Sequence, residues 1–167
     1  EIGSGLVGSE MCIRDRDAVC SKAARNTIRS IVTWISENYP KRTIGIISPF
    51  RQTVQELQRE FYIENQSIDI TVETIDRIQG MTVDYTILYF PQRNISFALT
   101  ENRFNVATSR SRSTTLIISD VPLEIFTTIS PIVSKYLYSC THIDGNVLTV
   151  RSVSYTHLRA HETGAYL

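Results

Sequence analysis

The sequence lacks any apolar run near the roughly 18 residues that a membrane-crossing helix needs. Its start, Glu1 to Glu10, has neither the basic opening nor the long apolar core of a secretory leader. No charge sign dominates. Lys and Arg number 17, Asp and Glu 17, and the formal net charge is +0. A broad basic surface is therefore not available as an argument for nucleic acid. Cysteine is scarce and odd in number: Cys12, Cys20 and Cys140 form no C-x-x-C pair. That excludes a disulfide framework and points to free thiols in a reducing compartment. The chain has no G-x-x-x-x-G-K-[ST] loop, so it cannot cradle a triphosphate alone by that route. It has no serine or cysteine nucleophile elbow, and its middle offers only His142 as an imidazole. Internal repeats and low-complexity linkers are also missing.

What is present suits one domain. The chain has 167 residues, 42% apolar and 20% charged, enough to build a core beneath an ordinary polar surface. Two segments fit nothing around them. Gly5 to Arg16 and Ser152 to Leu167 hold no helical or strand period and resemble translated sequencing-adapter read-through. The expected organisation is thus 1–16 and 151–167 as non-native tails around a domain at 17–150. His157 and His161 in the tail have the i, i+4 spacing of two metal ligands. No third ligand is suggested nearby, so the expectation is no metal site.

The middle alternates helix and strand. Ala24, Ile28, Ile31, Val32 and Ile35 mark one face of a helix from Lys22 to Tyr39, ended by Pro40. Thr43 to Ser48 reads as a strand buried on both faces. Pro49 breaks it, and Val54, Leu57 and Phe61 set a helix over Gln52 to Glu64. Strands are expected at Ser67–Thr74, Val83–Phe90 and Ser113–Ser119, with a helix at Asn102–Arg110. Ser130-Pro131 is a capped helix start followed by an apolar face of Val133, Tyr136 and Leu137. Asp144-Gly145 suggests a tight turn between strands at Cys140–Ile143 and Asn146–Val150. Trp34, Tyr85, Tyr89 and Tyr136 read mostly as core or strand-face aromatics. Base stacking would need exposed rings beside a basic groove. The fold class is α/β, a mostly parallel sheet covered on both faces, with ligands expected beyond the carboxyl ends of strands.

Three polar clusters flank these strands. Ser48-Pro49-Phe50-Arg51-Gln52-Thr53 follows the first. Thr74-Ile75-Asp76-Arg77-Ile78-Gln79-Gly80-Met81-Thr82-Val83-Asp84 joins the second to the third. Arg103-Phe104-Asn105-Val106-Ala107-Thr108-Ser109-Arg110-Ser111-Arg112 precedes the fourth. Arginine offers a planar, permanently charged fork suited to phosphate oxygens. Gly80 allows close backbone approach, and Gln79 can donate and accept at once. In order and placement the clusters resemble the fourth, fifth and sixth motifs of superfamily one helicases, in the branch that includes nonsense-mediated-decay and DNA-replication helicases. The resemblance spans about 130 residues and covers the second RecA-like domain.

That resemblance implies a fragment of an ATP-dependent helicase with a RecA-like, P-loop NTPase-type fold that lacks its own P-loop. ATP and Mg2+ would be held mainly by a missing N-terminal RecA-like domain. Arg51 and Arg110 would be the arginine fingers, converging on one open surface at the carboxyl edge of the sheet. Gln79 and Gly80 would lie beside the nucleotide. Ser48, Pro49, Thr74 and Asp76 would face single-stranded DNA or RNA, while Arg103, Asn105 and Arg112 brace the sixth motif. Thr82 stands where the family usually has a ribose-binding Glu, and Gln52 stands one position before the family's usual glutamine. The implied setting is cytoplasmic or nuclear, away from membranes. The rivals are a non-enzymatic RecA-like adaptor, in which Arg51 and Arg110 do not converge, and an unrelated α/β enzyme with its own acid and base.

Overall fold

A computed structural model describes residues 20–64, 69–93, 95–143 and 148–152. Cys12, the segments Gly5 to Arg16 and Val153 to Leu167 with the His157–His161 pair, Ser67, Ile68 and the Asp144-Gly145 turn lie outside the described residues.

The elements in chain order are α1 (Lys22–Asn38), β1 (Ile44–Ser48), α2 (Arg51–Glu64), β2 (Ile70–Thr74), β3 (Val83–Phe90), α3 (Ile95–Ala98), α4 (Glu101–Thr108), β4 (Ser111–Ser119), α5 (Leu123–Thr127), α6 (Pro131–Tyr138), β5 (Thr141–Ile143) and β6 (Leu148–Ser152). They build a six-stranded sheet in the order β2-β1-β3-β4-β6-β5. The first four strands run parallel, and β6 is antiparallel to both β4 and β5. This is the mostly parallel α/β arrangement expected of a RecA-like domain. Arg151 and Ser152, set aside with the tail, pair with Thr115 and Thr114.

Strand alternation sorts the apolar residues into two cores. Ile44, Ile46, Ile87, Tyr89, Leu116 and Ile118 point to one face, where α1 supplies Ile28, Val32 and Ile35 and α2 supplies Val54, Leu57 and Phe61. Ile47, Leu88, Phe90 and Ile117 point to the other, against Ile95, Phe104, Phe126, Val133 and Leu137. Burying each such side chain contributes about 1.5–3 kcal/mol, which is why periods of 2 and 3.6 in the sequence locate these elements. Gly45 in β1 belongs to this packing: a Cβ there would meet Val83 Cγ2 at 3.0 Å.

Caps set the helix ends. Ser21 accepts from the Ala24 amide at the start of α1, Thr100 from Arg103 at α4, and Ser130 from Ile132 at α6, with Pro131 following. Four expectations shift. The helix expected to reach Arg110 ends at Thr108, because the Arg110 carbonyl accepts from the Val83 amide and draws Ser111 into β4. Helices α3 and α5 were not anticipated, being only 4 and 5 residues long, too short to show a period. β6 runs to Ser152, two residues past its expected end. Trp34 is 54% exposed rather than core, resting edge-on against Tyr39 at 5.7 Å.

Two faces at opposite edges of the sheet

Since β1, β2, β3 and β4 are parallel, their carboxyl ends share one edge and their amino ends the other. The fourth-motif cluster lies at the carboxyl edge. Ser48 ends β1 and Arg51 opens α2 two residues after Pro49. The fifth cluster spans both edges. Thr74 ends β2 at the carboxyl edge, and Thr82 immediately precedes β3 at the amino edge. The segment between crosses the second core face, anchored by Ile75 and Ile78, both fully buried. Its first turn closes by Arg77 and Ile78 amides donating to the Thr74 carbonyl at 3.1 and 3.0 Å. Its second closes by Met81 donating to the Ile78 carbonyl at 3.0 Å, with Gly80 at the third position and φ +88°. That position needs a positive φ, which glycine adopts freely.

The sixth cluster runs alongside it. Near the start of α4, Arg103 donates from Nε to Asp76 Oδ1 at 3.1 Å and from Nη2 to Asp76 Oδ2 at 2.7 Å. It also bonds the Ala98 carbonyl. This bidentate fork clamps the two motifs together at the carboxyl edge. Past the end of α4, Arg110 donates from Nε to the Val106 carbonyl at 2.9 Å, from Nη2 to Ser109 Oγ at 2.8 Å and from Nη1 to the Met81 carbonyl at 3.5 Å. The second contact between the motifs is therefore at the amino edge.

Arg51 and Arg110 thus do not converge. Arg51 follows the carboxyl end of β1; Arg110 precedes the amino end of β4. The register aligns Ser111 with Val83, and Ile47 near the far end of β1 with Leu88. The structure groups Gln79, Gly80, Thr82 and Arg110 at the amino edge, and Arg51, Thr74 and Asp76 at the carboxyl edge. Gln79, Gly80, Met81 and Thr82 are exposed. Ser48 and Pro49, expected to face a strand, are buried, and Ser48 Oγ meets no protein partner. They shape the turn from beneath rather than present a surface.

The carboxyl-edge surface is made by Arg51 and Thr74 together with residues outside the expected set. A cavity of about 300 Å3 is lined by Arg51, Gln55, Gln58, Glu73, Thr74 and Arg77. Arg77 is in the fifth motif, but Gln55 and Gln58 belong to no motif. Only their helical spacing from Arg51 places them there. At the amino edge, Arg112 lines a second cavity of about 480 Å3 with Tyr39, Arg42, Asp84, Tyr85 and Ser113. Asn105 is exposed on α4.

Electrostatics stiffen both edges. Burial would push the Asp84 carboxyl up. The Thr43 amide at 2.9 Å, the Thr43 hydroxyl at 3.0 Å and Arg42 at 3.1 Å outweigh it and hold Asp84 below the usual carboxylate range. At the carboxyl edge Tyr89 donates to Asp120 at 2.6 Å and accepts from the Ser21 amide at 3.1 Å. Burial, then the Asp120 bond, push the phenol up, so it stays protonated. Burial likewise pushes the Cys20 thiol up to about 11, leaving it a weak nucleophile. Among the described residues Cys20 and Cys140 are buried. No group of three or more His, Cys, Asp or Glu there is placed to hold a metal ion. No described helix is long and apolar enough to cross a membrane.

A family described as an AAA domain matches residues 9–122. DNA polymerase alpha-associated DNA helicase A of Saccharomyces cerevisiae is 32% identical over 90 residues, covering 52% of this chain and 13% of that protein. Helicase sen1 of Schizosaccharomyces pombe is 30% identical over 137 residues, covering 71% of this chain and 8% of that protein. Replicase polyprotein 1ab of Alphamesonivirus 1 is 29% identical over 126 residues, covering 70% of this chain and 2% of that protein. The chain therefore spans a small part of each relative's length.

Proposed function

The chain belongs to the AAA-domain family, in the superfamily one helicase branch, and from that premise we propose that it is the second motor domain of an ATP-dependent nucleic-acid helicase. Its amino edge faces ATP held mainly by an N-terminal RecA-like domain. Its carboxyl edge carries part of a single-stranded DNA or RNA track. The observation that supports this reading is the side-by-side packing of the fifth and sixth motifs. They span the sheet and put Gly80, Thr82 and Arg110 at one edge and Thr74, Asp76 and Arg103 at the other.

The amino edge fits a phosphate group. Nothing lies within 4 Å of a Cβ built on Gly80, so the backbone there is open to close approach. Arg110 is held by backbone carbonyls, which orients its fork before any ligand arrives. Mg2+ would rest mainly with the partner domain, beside the phosphates held there. Bound ATP would supply the phosphoryl group whose hydrolysis drives movement. The part played by this chain is to present the Arg110 cation to developing negative charge and to exclude water as the domains close. Thr82 offers a hydroxyl where a longer acceptor would be stronger, so it makes at most a weak ribose contact. Arg51 belongs to the strand face, beside Thr74 and Arg77.

Separation of Arg51 from Arg110 is also what the adaptor reading expects, so turnover must decide between the two. Alone, the 167-residue chain should turn over no ATP and should bind a single strand weakly, with strong salt sensitivity. Robust hydrolysis by the purified chain contradicts the half-motor reading. Joined to its P-loop domain, strand-stimulated hydrolysis lost on Arg110→Ala supports it, and hydrolysis indifferent to Arg110 favours the adaptor.

A further inference from the structure

The strand face extends beyond the motifs. We propose that the outward side of α2 is a continuation of the single-strand track. In this track Arg51 and Arg59 take phosphates, Gln55 meets base or sugar edges and Tyr62 stacks a base, while Gln58, whose Nε2 donates to the Val72 carbonyl at 2.7 Å, holds the floor. This inference rests on the carboxyl-edge strand face proposed above.

The helix is sorted by charge. At about 100° per residue, Arg51, Gln55, Gln58, Arg59 and Tyr62 fall within an arc of about 100°. The acidic residues Glu56 and Glu60 fall on another side, where they pair with Arg25 and Arg29 of α1 at distances of 2.6 to 3.2 Å. The carboxylates are consumed internally. Arg51 and Arg59 are exposed, and their side chains have no hydrogen bond or ion pair among the described residues. This arc borders β2, the strand at the end of the sheet order.

The surface is also concave. The carboxyl-edge cavity of about 300 Å3 adjoins a second of about 400 Å3 lined by Gln55, Gln58, Arg59 and Tyr62. The two share Gln55 and Gln58 and so lie side by side along this face, the second of them shallow and open. Three arginines lie along it against one carboxylate, Glu73, which already has Arg77 at 3.8 Å. From Arg51 to Tyr62 the helix rises about 16 Å, room for a short run of nucleotides. Tyr62 ends this face with a ring side chain 52% exposed. Two unpaired arginines, the intervening Gln55 amide and a terminal aromatic ring match a single strand: charge follows the backbone, and any base can stack on the ring.

The test uses fluorescence anisotropy at low salt. The purified chain is titrated into a labelled ten-nucleotide oligothymidylate and into an abasic oligomer of the same length. Arg59→Ala should weaken both and reduce the slope of log affinity against log salt by about 0.7. Tyr62→Ala should weaken oligothymidylate about fivefold or more and leave the abasic oligomer unchanged, while Tyr62→Phe binds as wild type. Both side chains are exposed, so these variants keep the fold. If Arg59→Ala and Tyr62→Ala bind as wild type while Thr74→Ala weakens binding, the strand face stands and its extension along α2 falls. If the unmodified chain binds neither oligomer, both fall. If polyglutamate displaces the strand and Tyr62→Ala has no effect, this face is an acidic-ligand surface and the stacking track is overturned.

Discussion

Asp84 is the clearest example of one residue setting local structure. It is the second residue of β3, almost fully buried, and its carboxylate ties the Thr43 amide, the Thr43 hydroxyl and Arg42 to the amino edge. Asp84→Asn should cost about 1.5–3 kcal/mol at neutral pH, as for hydrogen bonds to a buried charge. The sign of the pH effect follows from its lowered pKa. Its contribution is complete above the unfolded value of about 3.9 and fades as pH falls through the folded value. Urea unfolding at neutral pH and near pH 3 checks this: the gap between wild type and variant should narrow in acid. Gly80 acts through φ rather than contact. Gly80→Ala should destabilise by about 1–2 kcal/mol despite open space around it, because the backbone is left-handed there. Thermal unfolding measures that, and an unchanged midpoint would show that the turn relaxes.

At the scale of elements, the fifth and sixth motifs act as one unit, joined by Asp76–Arg103 at one end and Met81–Arg110 at the other. Asp76 is well exposed, so the first contact is worth little on average, about 0.5–1 kcal/mol in a double-mutant cycle of Asp76→Ala and Arg103→Ala. A coupling of zero would mean the fork merely decorates the surface. Much of this was legible in the sequence. Apolar periods located α1, β1, α2 and β3, and the Ser130-Pro131 cap located α6. Short α5 carried no period, and nothing in the fourth motif distinguished a buried Ser48 from an exposed one. The separation of Arg51 and Arg110 was readable all the same. One follows a strand and the other precedes one, and in a parallel sheet those are opposite edges. Motif roles taken from resemblance obscured what the element order implied. Gln55 and Gln58 had no motif signal, only a helical spacing from Arg51.

For the whole molecule, the sheet separates two chemistries by the length of its strands. The proposed nucleotide face is the amino edge and the proposed strand face the carboxyl edge, and the two are connected through the Ile75–Ile78 crossing on the second core. Such an arrangement lets one edge respond to the other only through packed elements, so substitutions at the two edges should fail in different ways. The decisive measurement is steady-state ATP turnover by a longer chain that carries the P-loop domain, at saturating single strand, for Arg110→Ala beside Arg51→Ala. The expected result is a loss of about 10³-fold or more for Arg110→Ala, with turnover retained for Arg51→Ala and only its apparent affinity for the strand reduced. Equal losses in the two variants, or wild-type turnover for Arg110→Ala, would contradict the division of this domain into a nucleotide edge and a strand edge.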